Sequence, residues 1–142
     1  MRNSLFFLAA FLAISGPAFA EVQTIVSHEE EKYFYAGTEM RKYEGQFENT
    51  YLLDIAKGTL IRTRIYDYQT KKITADDTIY RIETGLDSDP TNALRYSVPP
   101  LIRATGNPGT NSLELLIIRP DTVITALSTP TELVVSRSRR LH

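Results

Sequence analysis

Beyond residue 21, short apolar or alternating runs dominate the chain, separated by Gly, Pro, Asn and Asp, with no long amphipathic helix among them. Such runs, rich in β-branched and aromatic residues, are typical of strands joined by tight turns. The clearest is Leu60 to Tyr68, after the turn signal Lys57-Gly58. The pattern predicts about seven to nine strands, roughly 8–12 residues apart, and hence an all-β fold. We expect a single small antiparallel β-barrel or β-sandwich.

The length and the absence of cysteine narrow the class further. A chain of 142 residues fits one domain, which is large enough to bury a core. With Cys 0, this domain has no disulfide, no thiolate metal site and no cysteine nucleophile. Its stability must come from packing and hydrogen bonding alone.

The last third of the chain has the most regular strand pattern. LELLII, VITAL and LVVSRSRR follow one another with short turns between them. This closing meander resembles the strand pattern of small lipocalin-like barrels. The resemblance implies an up-and-down barrel and assigns no role to any residue.

The first twenty residues have the layout of a secretory signal peptide. The apolar run Leu5–Ile14 is broken by Ser15-Gly16-Pro17, and Ala18-Phe19-Ala20 forms an A-x-A cleavage site. The run is too short to span a bilayer, which takes about 20 apolar residues. We therefore predict a cleaved leader at 1–20 and an exported protein, in the periplasm or, as the alternative, outside the cell.

The predicted mature chain consists of one all-β domain, 21–136, and a basic C-terminal tail, 137–142. The tail carries Arg137, Arg139 and Arg140. The formal net charge is only −1, without a basic stripe, so we predict no nucleic-acid partner. No transmembrane segment is predicted in the mature chain.

Residues that carry chemistry are sparse. His28 stands beside Glu29, Glu30 and Glu31, and the other histidine is the last residue, His142. We interpret the acidic run as a solvated loop, because adjacent strand residues point to opposite faces and a metal site needs converging ligands. No G-x-S-x-G motif and no phosphate-binding loop are present. The sequence thus predicts no enzyme, no cofactor and no metal.

Carboxylates within strands are the remaining candidates for acid–base chemistry. Glu83 and Glu114 lie inside predicted strands with apolar neighbours. Nothing in the sequence selects a catalytic pair, and we interpret both as residues of an exposed face.

Tyrosine is the one enriched residue type, with Tyr 8 and Trp 0. Alternation along the strand 60–68 places Ile61, Thr63 and Ile65 on the core side, with the arginines and tyrosines opposite. Tyrosine and arginine are frequent in ligand pockets and protein interfaces. The predicted binding residues are Arg62, Arg64, Tyr66, Tyr68 and Tyr80.

Two hypotheses of function follow from these residues. The first is an exported, non-enzymatic module that binds a small, partly apolar ligand in a barrel interior. The alternative is a periplasmic or secreted module that docks another envelope protein through the same residues, without a ligand cavity. An enzyme ranks third and an outer-membrane barrel fourth.

Overall fold

A computed structural model describes residues 22–54, 57–83 and 102–142. The described residues form nine antiparallel strands and no helix. The strands are β1 Val22–Ala36, β2 Glu39–Glu44, β3 Phe47–Asp54, β4 Thr59–Asp67, β5 Lys72–Ile82, β6 Ile102–Gly106, β7 Leu113–Ile118, β8 Thr122–Ser128 and β9 Leu133–Leu141. The predicted all-β class is confirmed.

The sheet closes on itself. Strands β3 to β9 pair in chain order, β3 pairs with β1, and β1 pairs with β9 from Val26 to Tyr35. Eight strands therefore form a closed antiparallel barrel, and β2 is an additional strand. Of the two predicted architectures, the barrel is confirmed. Closure removes the open edges that a sandwich would have to protect.

Strand β1 is long because it has two successive partners on one edge. Its first half pairs with β3 and its second half, Glu31–Ala36, pairs with β2, while β9 occupies the opposite edge. At the junction, Gly45 donates its N–H to the carbonyl of Glu30 at 2.9 Å. A Cβ at Gly45 would overlap the Glu29 carbonyl, so only glycine fits there.

The carboxylate of Glu29 holds this junction from inside the barrel. Glu29 is 4% exposed and accepts hydrogen bonds from the N–H groups of Gln46 and Phe47, at 2.9 and 3.3 Å. Lys32 neutralises it at 3.1 Å. The expected solvated loop at His28–Glu31 is therefore wrong: these residues form the middle of β1, with a register shift between Glu29 and Glu31.

The barrel interior has an apolar and a polar region. Leu53, Leu60, Ile118 and Val123, beside the β3–β4 and β7–β8 connections, are at most 1% exposed. They belong to a core completed by Ile25, Tyr51, Tyr80, Ala104 and Leu116. The buried polar or charged residues are Ser27, Glu29, Arg62, Glu114, Thr125, Ser136 and Ser138.

A β-bulge in β4 changes the side of the sheet that its later residues face. Along the pairing with β3, the register shifts between Arg62 and Arg64 and leaves Thr63 as an extra residue; along the pairing with β5 the register also shifts there, with the extra residue on β5. The two arginines therefore point to opposite sides of the sheet. Before the bulge, Leu60 (0% exposed) and Arg62 (9%) lie inside, so the prediction that Ile61 faces the core is wrong.

The structure also differs from expectation at the C-terminus. Arg137, Arg139 and Arg140 belong to β9, which continues to Leu141 and pairs with β1. These residues are therefore part of the barrel wall instead of a free tail. The predicted leader lies outside the described residues.

Candidate functional site

Four side chains form a cluster inside the barrel, which we call the interior ion cluster: Arg62, Asp76, Tyr80 and Glu114. Arg62 Nη1 lies 3.1 Å from Glu114 Oε2, and Arg62 Nη2 lies 3.3 Å from Asp76 Oδ2. The Tyr80 hydroxyl donates to Glu114 Oε2 at 2.6 Å. The guanidinium thus joins carboxylates from β5 and β7, and all its charge is compensated internally.

Burial and neighbouring charges together set the pKa values of this cluster. Burial is the largest influence on Arg62 and would lower its pKa, but the surrounding groups, with Glu114 first, together outweigh it, and the pKa lies above its usual value. Burial also raises the pKa of Asp76, yet hydrogen bonds from Thr78 and the charge of Arg62 bring it below the ordinary 3.8. Burial, followed by the charge of Glu114, raises the pKa of Tyr80. At neutral pH Arg62 and Asp76 are therefore charged and the Tyr80 phenol is protonated.

Glycine at position 106 makes room for Tyr80. These two residues are opposite each other on β5 and β6. A Cβ at Gly106 would lie 2.6 Å from Cδ1 of Tyr80 and 2.8 Å from the Ile79 carbonyl oxygen. The tyrosine ring therefore packs over bare backbone, which lets its hydroxyl reach Glu114.

Two buried hydroxyl groups next to the interior ion cluster have no hydrogen-bond partner among the described residues. They belong to Tyr51 and Ser27, which are both 0% exposed. The Tyr51 ring packs edge-on against Tyr80, with centroids 6.4 Å apart. Burial, despite the nearby charge of Arg62, raises the pKa of Tyr51.

A second cluster lies on the outside of the barrel, on β1, β3 and the end of β4. We call it the outer aromatic cluster, comprising His28, Glu48, Arg64, Tyr66 and Tyr68. Glu48 accepts from Arg64 Nη1 at 3.2 Å and from the Tyr68 hydroxyl at 2.8 Å. Tyr68 contacts Tyr66 and His28 edge-on, with centroids 5.0 and 4.7 Å apart.

The outer aromatic cluster is fixed in place but open to solvent. Tyr68 is 37% exposed, and the neighbouring Ile73, opposite Tyr66 on β5, is 63% exposed. Burial and the acceptor Glu48 together raise the pKa of Tyr68 to about 12, so the phenol is protonated at neutral pH. Its hydrogen bond holds the ring in one orientation.

A groove of about 500 Å³ runs from this cluster to β2, lined by His28–Glu31 and Lys42–Gly45. Three of its carboxylates are paired, Glu29 with Lys32, Glu30 with Arg137 at 3.1 Å, and Glu31 with Lys42 at 2.8 Å, whereas Glu44 has no ion-pair partner among the described residues. Within the described residues, no three His, Asp or Glu side chains are placed to hold a metal ion.

The five predicted binding residues divide between the two clusters. Arg62 and Tyr80 lie in the interior ion cluster, whereas Arg64, Tyr66 and Tyr68 lie on the outside. The shared face predicted for the two arginines is therefore wrong, because of the bulge at Thr63.

Sequence reasoning missed the carboxylates that organise both clusters. Glu114 is 5% exposed, so its interpretation as a residue of an exposed face is wrong. The apolar residues on both sides of it in LELLII were a usable signal, because a strand covered on both faces buries its polar residue too. Glu48 and Asp76 had no such signal.

Comparison with family models, curated proteins and solved structures gives no match for this chain. The assignment of function therefore depends on the geometry. Within the described residues, there is no helix of the length and apolar character that would cross a bilayer.

Proposed function

We propose that this protein is a non-enzymatic binding module that recognises another protein through its outer aromatic cluster. One observation carries the proposal: Arg64, Tyr66 and Tyr68 are ordered by Glu48 on the solvent side of the barrel. Arginine and tyrosine dominate the energetic centres of protein interfaces. Pre-ordered side chains lose less entropy on binding, which favours affinity.

The side chains inside the barrel are already engaged with one another, which favours a binding site on the outside. Arg62 and Tyr80 are engaged by Glu114, and the surrounding core side chains are at most 1% exposed. Barrels of about eight strands are just wide enough for their own side chains to fill. The interior groups predicted to bind are thus already bound to one another.

The proposed setting is outside the cytoplasm, most simply the periplasm. This part of the proposal depends on the leader-like residues 1–20. The partner would then be another envelope or secreted protein.

Site-specific photo-cross-linking in the source cells tests the proposal. A benzophenone amino acid replaces Ile73, which is 63% exposed beside Tyr66. Ile79 provides a matched control, since it lies on the same strand and is 62% exposed. We expect a discrete protein adduct from position 73 and none from position 79.

A double variant makes the same test sharper. Arg64→Ala with Tyr66→Ala should abolish the adduct from position 73 and leave the thermal midpoint nearly unchanged, because both side chains are outside the core. An adduct that survives in this variant, or equal adducts at both positions, would contradict the proposal.

Binding of a small ligand is the second candidate, favoured by the unpartnered hydroxyls of Tyr51 and Ser27 next to Arg62. Buried polar groups without partners are unusual, and a bound polar molecule or a water is one explanation for them. Native mass spectrometry of gently purified protein tests this candidate. A constant small-molecule increment that disappears in Tyr51→Phe would support it, and the bare chain mass would count against it.

A further inference from the structure

Within the described residues, β2 is the one strand with a single neighbour, although residues 72–79 of β5 also have no partner on their β6 side. The barrel strands each have two partners, whereas β2 pairs only with β1. The β4 strand would have to continue to cover this edge, but it ends at Asp67. Its last contact with the β2–β3 segment is the N–H of Tyr68, which donates to the carbonyl of Gln46 at 2.9 Å.

Backbone geometry shows which groups of β2 point outward. Gly37 (φ 59) begins a two-residue hairpin turn, after which Ala36 and Glu39 are paired. Gly45 donates to Glu30, so odd-numbered residues of β2 point their backbone groups toward β1. Met40, Lys42 and Glu44 therefore direct theirs away from β1, in line with Gln46.

Side chains beside the edge indicate the chemistry of an added strand. Met40 and Tyr43, on opposite faces of β2, are 59% and 47% exposed. The charges next to them are already compensated, Arg41 by Glu39 at 2.9 Å and Lys42 by Glu31 at 2.8 Å. The edge thus offers apolar contacts on both faces, and Glu44 at its end is the one β2 charge without an ion-pair partner among the described residues.

We propose that the free edge of β2 takes up an extended segment of the partner protein, apolar beside Met40 and Tyr43 and without an acidic residue beside Glu44, as an added strand that continues the line of β4. Main-chain hydrogen bonds to Met40, Lys42 and Glu44 would hold the segment, and its apolar side chains would cover Met40 and Tyr43. In this position the segment also reaches Tyr68. The inference rests on the proposed function and specifies its binding mode.

The test combines two variants with the photo-cross-link at position 73. Lys42→Pro removes an outward N–H without removing a hydrogen bond to β1, and proline is tolerated on edge strands. Lys42→Ala is the matched control, because it loses the same charge but keeps the N–H. We expect Lys42→Ala to give the wild-type adduct and Lys42→Pro to reduce it about tenfold or more.

The outcomes separate the binding mode from the function. A full adduct in Lys42→Pro overturns strand addition and leaves protein binding intact. No adduct in any form, wild type included, overturns both. Hydrogen exchange on the wild-type adduct provides a readout that needs no variant: the amides of Met40, Lys42 and Glu44 should exchange more slowly than in the free protein. Unchanged exchange there also overturns strand addition.

Discussion

The same combination of an arginine, a glutamate and a tyrosine occurs twice in this protein, once inside the barrel and once outside it. The interior ion cluster joins Arg62, Glu114 and Tyr80, and the outer aromatic cluster joins Arg64, Glu48 and Tyr68. In both, one carboxylate accepts from a guanidinium and from a phenol. The two arginines are two residues apart on β4, and the bulge between them separates the clusters. The main difference between the two clusters is their burial. Comparing them therefore shows how burial changes the energetics of the same three side-chain types.

Inside the barrel, water cannot replace a lost partner, so each group depends on the others. Outside, solvent screens the ion pair and can take over any hydrogen bond. The interior cluster is therefore expected to determine stability, whereas the outer cluster is free to exchange its contacts for those of a partner.

Removing the central carboxylate of each cluster should give the largest contrast. Glu114→Ala leaves the buried Arg62 with Asp76 alone and deprives Tyr80 of its acceptor. We expect a loss of about 3–5 kcal/mol in the free energy of unfolding. Glu48→Ala should cost less than about 1 kcal/mol, because the Arg64–Glu48 pair is partly exposed. Denaturant unfolding measures both, and equal losses would break the comparison.

Substitution of Gly106, whose backbone lies beneath the Tyr80 ring, should give the next largest loss of stability. In Gly106→Ala the new methyl group would press on Tyr80 and on the Ile79 carbonyl, so the ring must move away from Glu114. We expect a loss of about 1–3 kcal/mol. Gly109→Ala is the control, since its nearest contact is Ser112 Oγ at 3.4 Å. If the thermal midpoints of the two variants shift equally, the space over Gly106 is not what positions Tyr80.

Alkaline pH should destabilise the interior first. The folded pKa values of Tyr51 and Tyr80 lie above the unfolded value of about 10. Stability from these groups is therefore complete below about pH 10 and is lost as the pH rises further, because only the unfolded chain then releases their protons. Denaturant midpoints between pH 9 and 12 should fall less steeply in Tyr80→Phe than in wild type. An equal slope would show that Tyr80 ionises freely in the fold.

The sequence could predict the strands but not the sides of the sheet on which these groups lie. Turn formers and β-prone runs indicated the all-β class, and the apolar surroundings of Glu114 were visible in LELLII. The bulge at Thr63 has no sequence signature, because it depends on registers with two other strands. One extra residue reverses every later side chain, so the five predicted binding residues were divided between interior and surface. The partner carboxylates Glu48 and Asp76 come from other strands, and only the closed barrel brings them close.

The smallest effect concerns the phenol of the outer aromatic cluster. Burial and the acceptor Glu48 raise the pKa of Tyr68 to about 12. In Glu48→Gln the negative charge is lost while the ring stays partly covered, so the pKa of Tyr68 should fall yet stay above the ordinary value of about 10. NMR titration of ring-labelled tyrosine measures this change. A pKa that stays near 12 would mean that burial alone protects Tyr68, and the outer cluster would then resemble the interior one more closely than its exposure suggests.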